Sequence, residues 1–378
     1  MRHQPTWCRT KVSRRPDMGL LRTLRGSLAV PTPQAAAPAA SSHVSGLSPA
    51  SRPVYDRAAE GTGIFVKHIE DGGCPWQQPQ SKPLEWPRNE LRGTPYHGFN
   101  AIALAMSGYD DPRWCTFDQA AAKGWRVRAG EKATSIFMWK VQEKETGTYD
   151  DDGEPITRKF PLLCRFKIFN FAQISGPEPH QPHQLTDTEA RKLAEPIVET
   201  VGMTVTESAT GPTGYNPERD SLVVRPRVAY PSEKHYCADL MNGVLAVAAR
   251  EAVIGLALPA EAEMTDHQRA QRDLRVEIAR SMLAMRTGLP LSPPAAVKDA
   301  AILTLLQSDR REVFRAAKDA ENIMRYALAF NPEVLPTLED EHREQMSAAV
   351  AEGAPEMVFD PSEFQFWPAE LQQDRPRP

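Results

Sequence analysis

Proline is the feature that most limits where this chain can form regular structure. The sequence contains 34 prolines among 378 residues. Proline lacks a backbone donor and disfavours helix interiors and central strands, so stretches rich in proline interrupt regular structure. The prolines concentrate outside the segments that have helical or strand periodicity. Regular structure is therefore expected in two separate stretches of the chain.

These breaks, together with composition, divide the chain into five predicted segments. A length of 378 residues is enough for two domains that each bury a core. We expect a disordered basic tail at 1–55, a first domain at 56–178, a linker at 179–187, a second domain at 188–330 and an acidic Pro-rich tail at 331–378.

The net charge of −4 conceals an uneven distribution. Residues 1–55 carry eight basic residues and one acidic residue, whereas residues 176–378 carry 21 basic and 32 acidic residues. A polyanionic partner is attracted to the basic part of such a chain. The charge pattern therefore predicts that nucleic acid contacts the N-terminal half.

Several classes of protein have no support in the sequence. No apolar run approaches the roughly 20 residues of a membrane-spanning helix, so we expect no membrane partner. The five cysteines are scattered without a CxxC pair, which is typical of a reducing, cytoplasmic location. Phosphate-binding, dinucleotide-binding and serine-hydrolase motifs are absent.

Periodicity predicts an α+β fold. In the first domain, three short helices should precede alternating segments, with WRVRAGEKATSIFMW forming two strands joined at AGEK. Thr116 is the expected N-cap of the third helix and Gly124 its stop. In the second domain, a helix and a short hairpin should precede helices at 233–257, 266–287 and about 295–329. The overall prediction is a small mixed α+β domain followed by a mainly helical domain with a short sheet.

Aromatic residues alternate with cations in the first domain. Between Arg113 and Lys140 there are six basic and two acidic residues. The interleaved rings are those of Trp114, Phe117, Trp125, Phe137 and Trp139. Rings that stack on unpaired bases contribute about 1–3 kcal/mol per base, and cations neutralise the phosphates. The pattern favours single-stranded nucleic acid, although these tryptophans could equally be the core of a small domain.

The order of short motifs points to a family. The chain contains PW, P-x-N-x-x-x-G-x-x-Y-x-G-x-N, PRW-x-T-x-x-Q-A, G-x-x-V-R-x-G-E-K, I-x-x-W and F-N, in that order. This order resembles the N-terminal domain of the ArdC family of antirestriction proteins, which TraC-type plasmid primases share. The resemblance implies single-stranded DNA binding.

The matched positions supply candidate DNA-binding residues. They are Trp76, Asn89, Tyr96, Asn100, Arg113, Trp114, Thr116, Gln119, Arg128, Lys132 and Trp139. Among them, the three cations Arg113, Arg128 and Lys132 are the candidate phosphate contacts. Tyr96 and Trp114 are the candidate stacking residues.

The second half resembles, more weakly, the zincin-like metallopeptidase domain that follows in this family. Zinc hydrolysis needs two histidines one helical turn apart, a third ligand and a carboxylate base. The helix that begins near His235 stands where the family has H-E-x-x-H, but it contains neither both histidines nor the glutamate. The ligand positions hold, depending on the register, Met241 or Asn242 and Leu245 or Ala246. Only the acidic ligand position is filled, by Glu277.

These observations predict a non-enzymatic protein without catalytic residues, metal or cofactor. The expected function is single-stranded DNA binding of the antirestriction type, in which the protein accompanies or protects the transferred DNA of a mobile element. A restriction or defence nuclease is a second candidate partner. Two alternatives remain open: a zinc peptidase with non-standard ligands, and an acidic second domain that imitates DNA and inhibits a nuclease.

Overall fold

The computed structural model describes residues 56–71, 84–149, 153–210, 213–216, 219, 221–250, 259, 263–291, 299–331 and 333–334. The predicted tail at 1–55, all but residues 331, 333 and 334 of the predicted tail at 331–378, and Trp76 lie outside these residues. The fold is mixed α and β, as predicted. The described part of the first half contains the elements α1 (Arg57–Glu70), β1 (Arg88–Asn89), β2 (Thr94–Pro95), α2 (Gly98–Ala105), β3 (Arg113–Cys115), α3 (Phe117–Ala122), β4 (Arg126–Val127), β5 (Thr134–Tyr149), β6 (Pro155–Asn170) and β7 (Ile174–Ser175).

A long hairpin is the main feature of the first half. Strands β5 and β6 pair antiparallel, with Thr134 opposite Ile168 and Trp139 opposite Leu163. They extend a five-stranded sheet whose order is β2-β1-β3-β6-β5. The sequence signal for both strands is the alternation of apolar and polar residues, which places successive side chains on opposite faces.

The segment before β5 differs from the prediction. Strands β4 and β5 do not form a hairpin around AGEK; β4 instead pairs antiparallel with β7, with Val127 opposite Ile174. The Gln173 side chain accounts for this arrangement because it donates to Glu131 at 3.0 Å and to the Lys132 carbonyl at 2.9 Å. Both bonds hold the AGEK loop beside β7. The loop therefore leads from the two-stranded β4–β7 sheet to β5 of the five-stranded sheet.

Local capping sets the third helix where the sequence predicts it. The Thr116 hydroxyl accepts from the Gln119 backbone at 3.2 Å, and the Gln119 side chain accepts from the Thr116 backbone at 2.9 Å. This reciprocal pair is a capping box, which satisfies donors that a helix start leaves open. Gly124 follows the helix with a positive φ of 74°, so the predicted start and stop are both confirmed.

The second half is mainly helical. Its elements are α4 (Asp187–Val201), β8 (Thr204–Glu207), β9 (Gly214–Asn216), β10 (Ser221–Val224), α5 (Glu233–Ala248), α6 (Asp266–Thr287), α7 (Asp299–Ser308) and α8 (Glu312–Ala329). The predicted hairpin is the antiparallel pair β9–β10, and β8 adds a parallel third strand. The predicted helix 266–287 is confirmed, and residues 251–257 of the helix predicted at 233–257 lie outside the described residues.

The single helix expected at about 295–329 is wrong, because two helices occupy that region. The chain turns between α7 and α8, where the Asp309 carboxylate accepts from the Arg311 backbone at 2.8 Å. The Asp309 carbonyl also accepts from the Glu312 backbone at 3.1 Å. An aspartate that bonds the backbone two residues ahead favours a turn over a continued helix.

Glycine at the middle of α5 has a packing explanation. A β-carbon at Gly243 would lie 2.6 Å from the Leu222 side chain of β10. Such a distance is shorter than van der Waals contact allows, so only glycine lets the small sheet approach this helix. Leu222 is buried in the core beneath it.

One hydrophobic core continues from the first half of the chain into the second. The Phe99 ring of α2 stacks on Phe314 of α8 with centroids 4.2 Å apart, and Phe137 of β5 packs against both. Polar contacts cross the same boundary: the Glu321 carboxylate accepts from the Gly98 backbone at 2.8 Å and lies 2.7 Å from the His97 ring. The boundary at 179–187 stays a prediction from composition.

Candidate nucleic-acid interface

The hairpin presents two different faces. Side chains of Ile136, Met138, Lys140, Phe166 and Ile168 share one face because the paired residues lie opposite each other with period two. Trp114 belongs to this face, since it pairs with Asn170 of β6, and we call it the Trp114 face. The opposite, Trp139 face carries Phe137, Trp139, Leu163, Arg165 and Lys167.

Trp114 is a core residue. Its side chain is only 1% exposed and packs with Leu104, Ile136 and Ile168. Tyr109 covers it edge-on, with ring centroids 5.6 Å apart. A ring enclosed in this way cannot stack on a base, so its assignment as a stacking residue is corrected: Trp114 supports the surface from below.

Arg113 is held by the protein itself. Its guanidinium donates twice to the Asp111 carboxylate, at 2.9 and 2.7 Å, and once to the Glu178 carbonyl at 2.8 Å. The hydrogen bond that Arg113 donates to the Asp111 carboxylate raises the pKa of Arg113. It also lies 4.8 Å from the Phe171 ring. With its charge matched by Asp111, Arg113 positions the start of β3 rather than presenting a free cation.

Four more candidates form bonds that hold the fold. The Asn100 amide donates to the Phe137 carbonyl at 2.7 Å and accepts from its backbone at 2.9 Å, which fastens α2 to β5. The Asn89 amide donates to Gln119 at 3.1 Å, and Gln119 completes the capping box with Thr116. The side chains of these four residues position the backbone, which explains why the motif contains them.

Tyr96 lies between core and surface. Its ring packs partly buried against the Trp114 cluster. Burial raises the pKa of the Tyr96 hydroxyl, and a hydrogen bond with Asn89 acts in the opposite direction. The backbone carbonyl of Tyr96 accepts from the Trp86 indole at 2.7 Å. Tyr96 is therefore half-buried, whereas Trp139 is exposed.

The remaining candidates are exposed. Arg128 and Lys132 flank Gly130 in the loop before β5, and both side chains reach solvent. Arg128 donates to Glu131 at 3.0 Å and to the Ala172 carbonyl. A hydrogen bond from Gln173 is the main cause, and Arg128 a further one, of the lowered pKa of Glu131. Trp139 is 56% exposed, but it lies on the opposite face from Lys140.

The register reveals surface residues that the motif did not identify. The Lys140 ammonium lies 5.0 Å from the centre of the Phe166 ring. Phe166 and Tyr109 pack on the Trp114 cluster while remaining partly accessible. Burial is the main cause of the raised pKa of Tyr109, and the charges of Glu131 and Arg128 act on the same hydroxyl. The Tyr109 hydroxyl is therefore close enough to the charges of the AGEK loop to be affected by them.

The Trp114 face thus combines rings and cations. Tyr109 and Phe166 are seated on a rigid core, with Arg128 at one end and Lys140 at the other. A strand face that offers rings between cations can stack bases and neutralise phosphates. The signal that could have identified Phe166 is the alternation in FPLLCRFKIFNF, which places Phe166 on the same face as Ile168 two residues later. Only the β5–β6 register places it beside Lys140.

The second domain has a polar cluster where α5 meets α6. Arg280 donates to the Asn242 side chain at 3.1 Å and to the Glu277 carboxylate at 3.0 and 3.3 Å. Glu277 is only 6% exposed. Within the described ranges, no group of three or more His, Cys, Asp or Glu residues is arranged to hold a metal ion. No helix in those ranges is long and apolar enough to span a bilayer.

Comparisons with known proteins cover both halves. Residues 56–169 match the N-terminal domain of anti-restriction factor ArdC. A DNA primase TraC of Escherichia coli is 34% identical over 297 residues, which cover 74% of this chain and 20% of the primase. The chain therefore spans about a fifth of the length of that relative.

Two solved structures match almost along their full lengths. The metal-free crystal structure of the antirestriction ArdC protein from plasmid R388 aligns with a TM-score of 0.57 and 25% identity, covering 74% of this chain and 99% of that one. The Mn(II)-bound structure of the same protein aligns with a TM-score of 0.54 and 24% identity, covering 73% and 98%. The two matches agree: residues 56–169 are similar to the N-terminal domain of anti-restriction factor ArdC, and 74% of the chain is similar in structure to the ArdC protein from plasmid R388.

Proposed function

We propose that this protein binds single-stranded DNA through the Trp114 face and thereby accompanies or protects the transferred DNA of a mobile element. The observation that carries the proposal is the placement of Phe166 and Tyr109 on the buried Trp114 cluster, with Lys140 over the Phe166 ring. Partly exposed rings on a rigid support lose little conformational freedom when a base stacks on them. Unpaired bases expose the ring faces that this surface needs, and a duplex does not.

Charge supports the same surface. Arg128 and Lys132 are exposed at one end of the face and Lys140 at the other. A single strand that follows this line meets cations before and after the rings. Release of counterions from the phosphates makes the affinity fall with salt, with a slope of about −0.7 per neutralised phosphate for single strands. Binding that depends on these cations must therefore weaken steeply as salt rises.

Fluorescence anisotropy with an unstructured oligonucleotide tests the proposal. We expect binding to the single strand that is at least tenfold tighter than binding to a duplex of the same length, and that weakens with salt. Equal or tighter binding to the duplex contradicts the proposal. A pull-down in which the protein captures a restriction nuclease but no DNA would favour the nuclease-inhibitor alternative instead.

A matched pair of lysines locates the contact. Lys140 and Lys167 are both exposed on the same hairpin, but they lie on opposite faces. We expect Lys140→Ala to weaken binding and to reduce the salt slope by about 0.7, whereas Lys167→Ala leaves both unchanged. If Lys167→Ala has the larger effect, the DNA contact lies on the Trp139 face.

For the second domain we propose a structural role without peptidase activity. Neither register of α5 offers two histidines, and Glu277 is engaged by Arg280. A zinc peptidase needs at least three protein ligands and an open coordination position. Incubation of the purified protein with a denatured casein substrate and added Zn(II) should release no peptides above the protein-free control; cleavage that Glu277→Gln abolishes would restore the peptidase alternative.

A further inference from the structure

Arg280 of α6 contacts α5. The resemblance to a zincin-like metallopeptidase domain implies a metal site at this contact. The Nε of Arg280 donates to Oδ1 of Asn242, and its Nη1 donates to both carboxylate oxygens of Glu277. Glu277 is the residue at the acidic ligand position, and it is buried. A buried carboxylate needs a countercharge, and here a guanidinium of the same helix supplies it.

The structure also selects one register for the lost ligand positions. Met241 and Leu245 are fully buried in the hydrophobic core. Asn242 instead contacts the Arg280–Glu277 pair. Ala246 lies one turn after Asn242, and residues four apart share a helix face. Asn242 and Ala246 are therefore the positions that face Glu277.

The residues at this place do not fit a metal ion. Ala246 has no ligand atom, and the Asn242 oxygen already accepts from Arg280. The nearby Asp239 carboxylate accepts from the Tyr230 hydroxyl at 2.7 Å. Burial, and then Asp239, raise the pKa of Tyr230, so this hydroxyl stays protonated and keeps donating. The guanidinium of Arg280 is a cation and would repel a second cation bound to the Glu277 carboxylate.

We infer that Arg280 is the cation of the α5–α6 seam, by which we mean the contact of Asn242 on α5 with Glu277 and Arg280 on α6. It replaces a metal ion as the group that neutralises Glu277 and fastens the two helices, and it excludes a divalent cation from the same place. The inference concerns the second domain and does not depend on DNA binding by the first.

A gain-of-binding experiment tests the exclusion directly. Two variants carry Asn242→His and Ala246→His, one with Arg280 retained and one with Arg280→Ala. Zn(II) is the probe because imidazole and carboxylate ligands bind it more tightly than Mn(II). Isothermal titration should find one additional Zn(II) site relative to the wild-type chain, at least tenfold tighter in the variant without Arg280, and Glu277→Gln in that variant should remove it.

Equal affinity of the two histidine variants, whether tight or undetectable, overturns the inference. So does one equivalent of Zn(II) or Mn(II) bound to the wild-type chain and lost in Glu277→Gln. EDTA should leave the thermal midpoint of the wild-type chain unchanged.

Unfolding of the seam gives an independent readout. Arg280→Ala should lower the thermal midpoint, and adding Glu277→Gln should recover part of the loss, because the buried charge that Arg280 neutralises is then gone. Arg269→Ala is the matched control, since Arg269 pairs with Asp266 at the same spacing on the same helix but at an exposed site; its midpoint should not change. A double variant no more stable than Arg280→Ala overturns the inference.

Discussion

The Trp114 face and the α5–α6 seam use cations in opposite ways. On the Trp114 face, Lys140 contacts the ring of Phe166 and extends into solvent. In the seam, Arg280 contacts a buried carboxylate and an amide. A cation whose partner is a ring keeps its charge available to a ligand, whereas one that neutralises a carboxylate does not. The partner of a basic residue, more than its presence, therefore separates a binding surface from a structural joint.

The largest effect should come from the most enclosed arginine. Arg275 is buried between α6 and α8 and donates to Glu312 at 2.6 Å and to Asp319 at 2.7 Å. Arg275→Ala removes this partner from half-buried Asp319 and leaves Glu312 with Arg315 alone, so we expect a loss of about 3–5 kcal/mol of unfolding free energy. Urea denaturation measures it. Lys132→Ala is the control and should change stability by less than about 0.5 kcal/mol; equal losses would remove the distinction between the two kinds of cation.

A smaller effect is expected where the two halves of the chain meet. Burial acts to raise the pKa of Glu321, but hydrogen bonding from His97 and the charges of His97 and Arg325 outweigh it, so the net pKa is lowered. Ionised Glu321 thus stabilises the fold fully above its unfolded value near 4.5, and this contribution is lost as the pH falls below that value towards the lower folded pKa.

Glu321→Gln tests that sign. The variant should lose about 1–3 kcal/mol of unfolding free energy at pH 7. The difference from wild type, measured by urea denaturation, should shrink as the pH is lowered below 4.5. A difference that grows on acidification would contradict the assigned direction. The DNA affinity at pH 7 should not change, because the hydrogen-bond partners His97, Gly98 and Arg325 of Glu321 do not belong to the Trp114 face.

A third prediction concerns the ring under Lys140. Phe166→Leu keeps an apolar side chain against the Trp114 cluster but removes the flat face. We expect a loss of about 1–3 kcal/mol in single-stranded DNA binding, measured by anisotropy at constant salt. Unchanged unfolding free energy is the control for folding. If the variant binds as tightly as wild type, Phe166 does not stack on a base.

The smallest effect should come from the exposed ring on the opposite face. Trp139→Ala should change DNA affinity by less than about twofold, since Trp139 does not share a face with Lys140 and Phe166. The same anisotropy series measures it. A loss larger than that of Phe166→Leu would assign the binding surface to the Trp139 face.

Much of the fold follows from local sequence patterns, and the site does so only in part. The α3 cap at Thr116, the α6 bounds and the β9–β10 hairpin are all encoded by neighbouring residues, and the structure confirms them. The motif also identified Arg128 and Lys132, which are exposed. It grouped them with Trp114 and Asn100, whose roles depend on distant partners in the core and at β5.

What the sequence alone determined is the mixed α and β class, the motif order and the absence of paired histidines in α5, because each depends on residue type and short spacing. Tertiary structure decided which ring is buried and which is exposed, because burial depends on the β5–β6 register and on packing between distant segments. It also decided that Arg280, which donates to Glu277 on its own helix, reaches Asn242 of α5 as well. The Asn242–Arg280 bond joins residues 38 apart along the chain, and no local pattern reports such a contact.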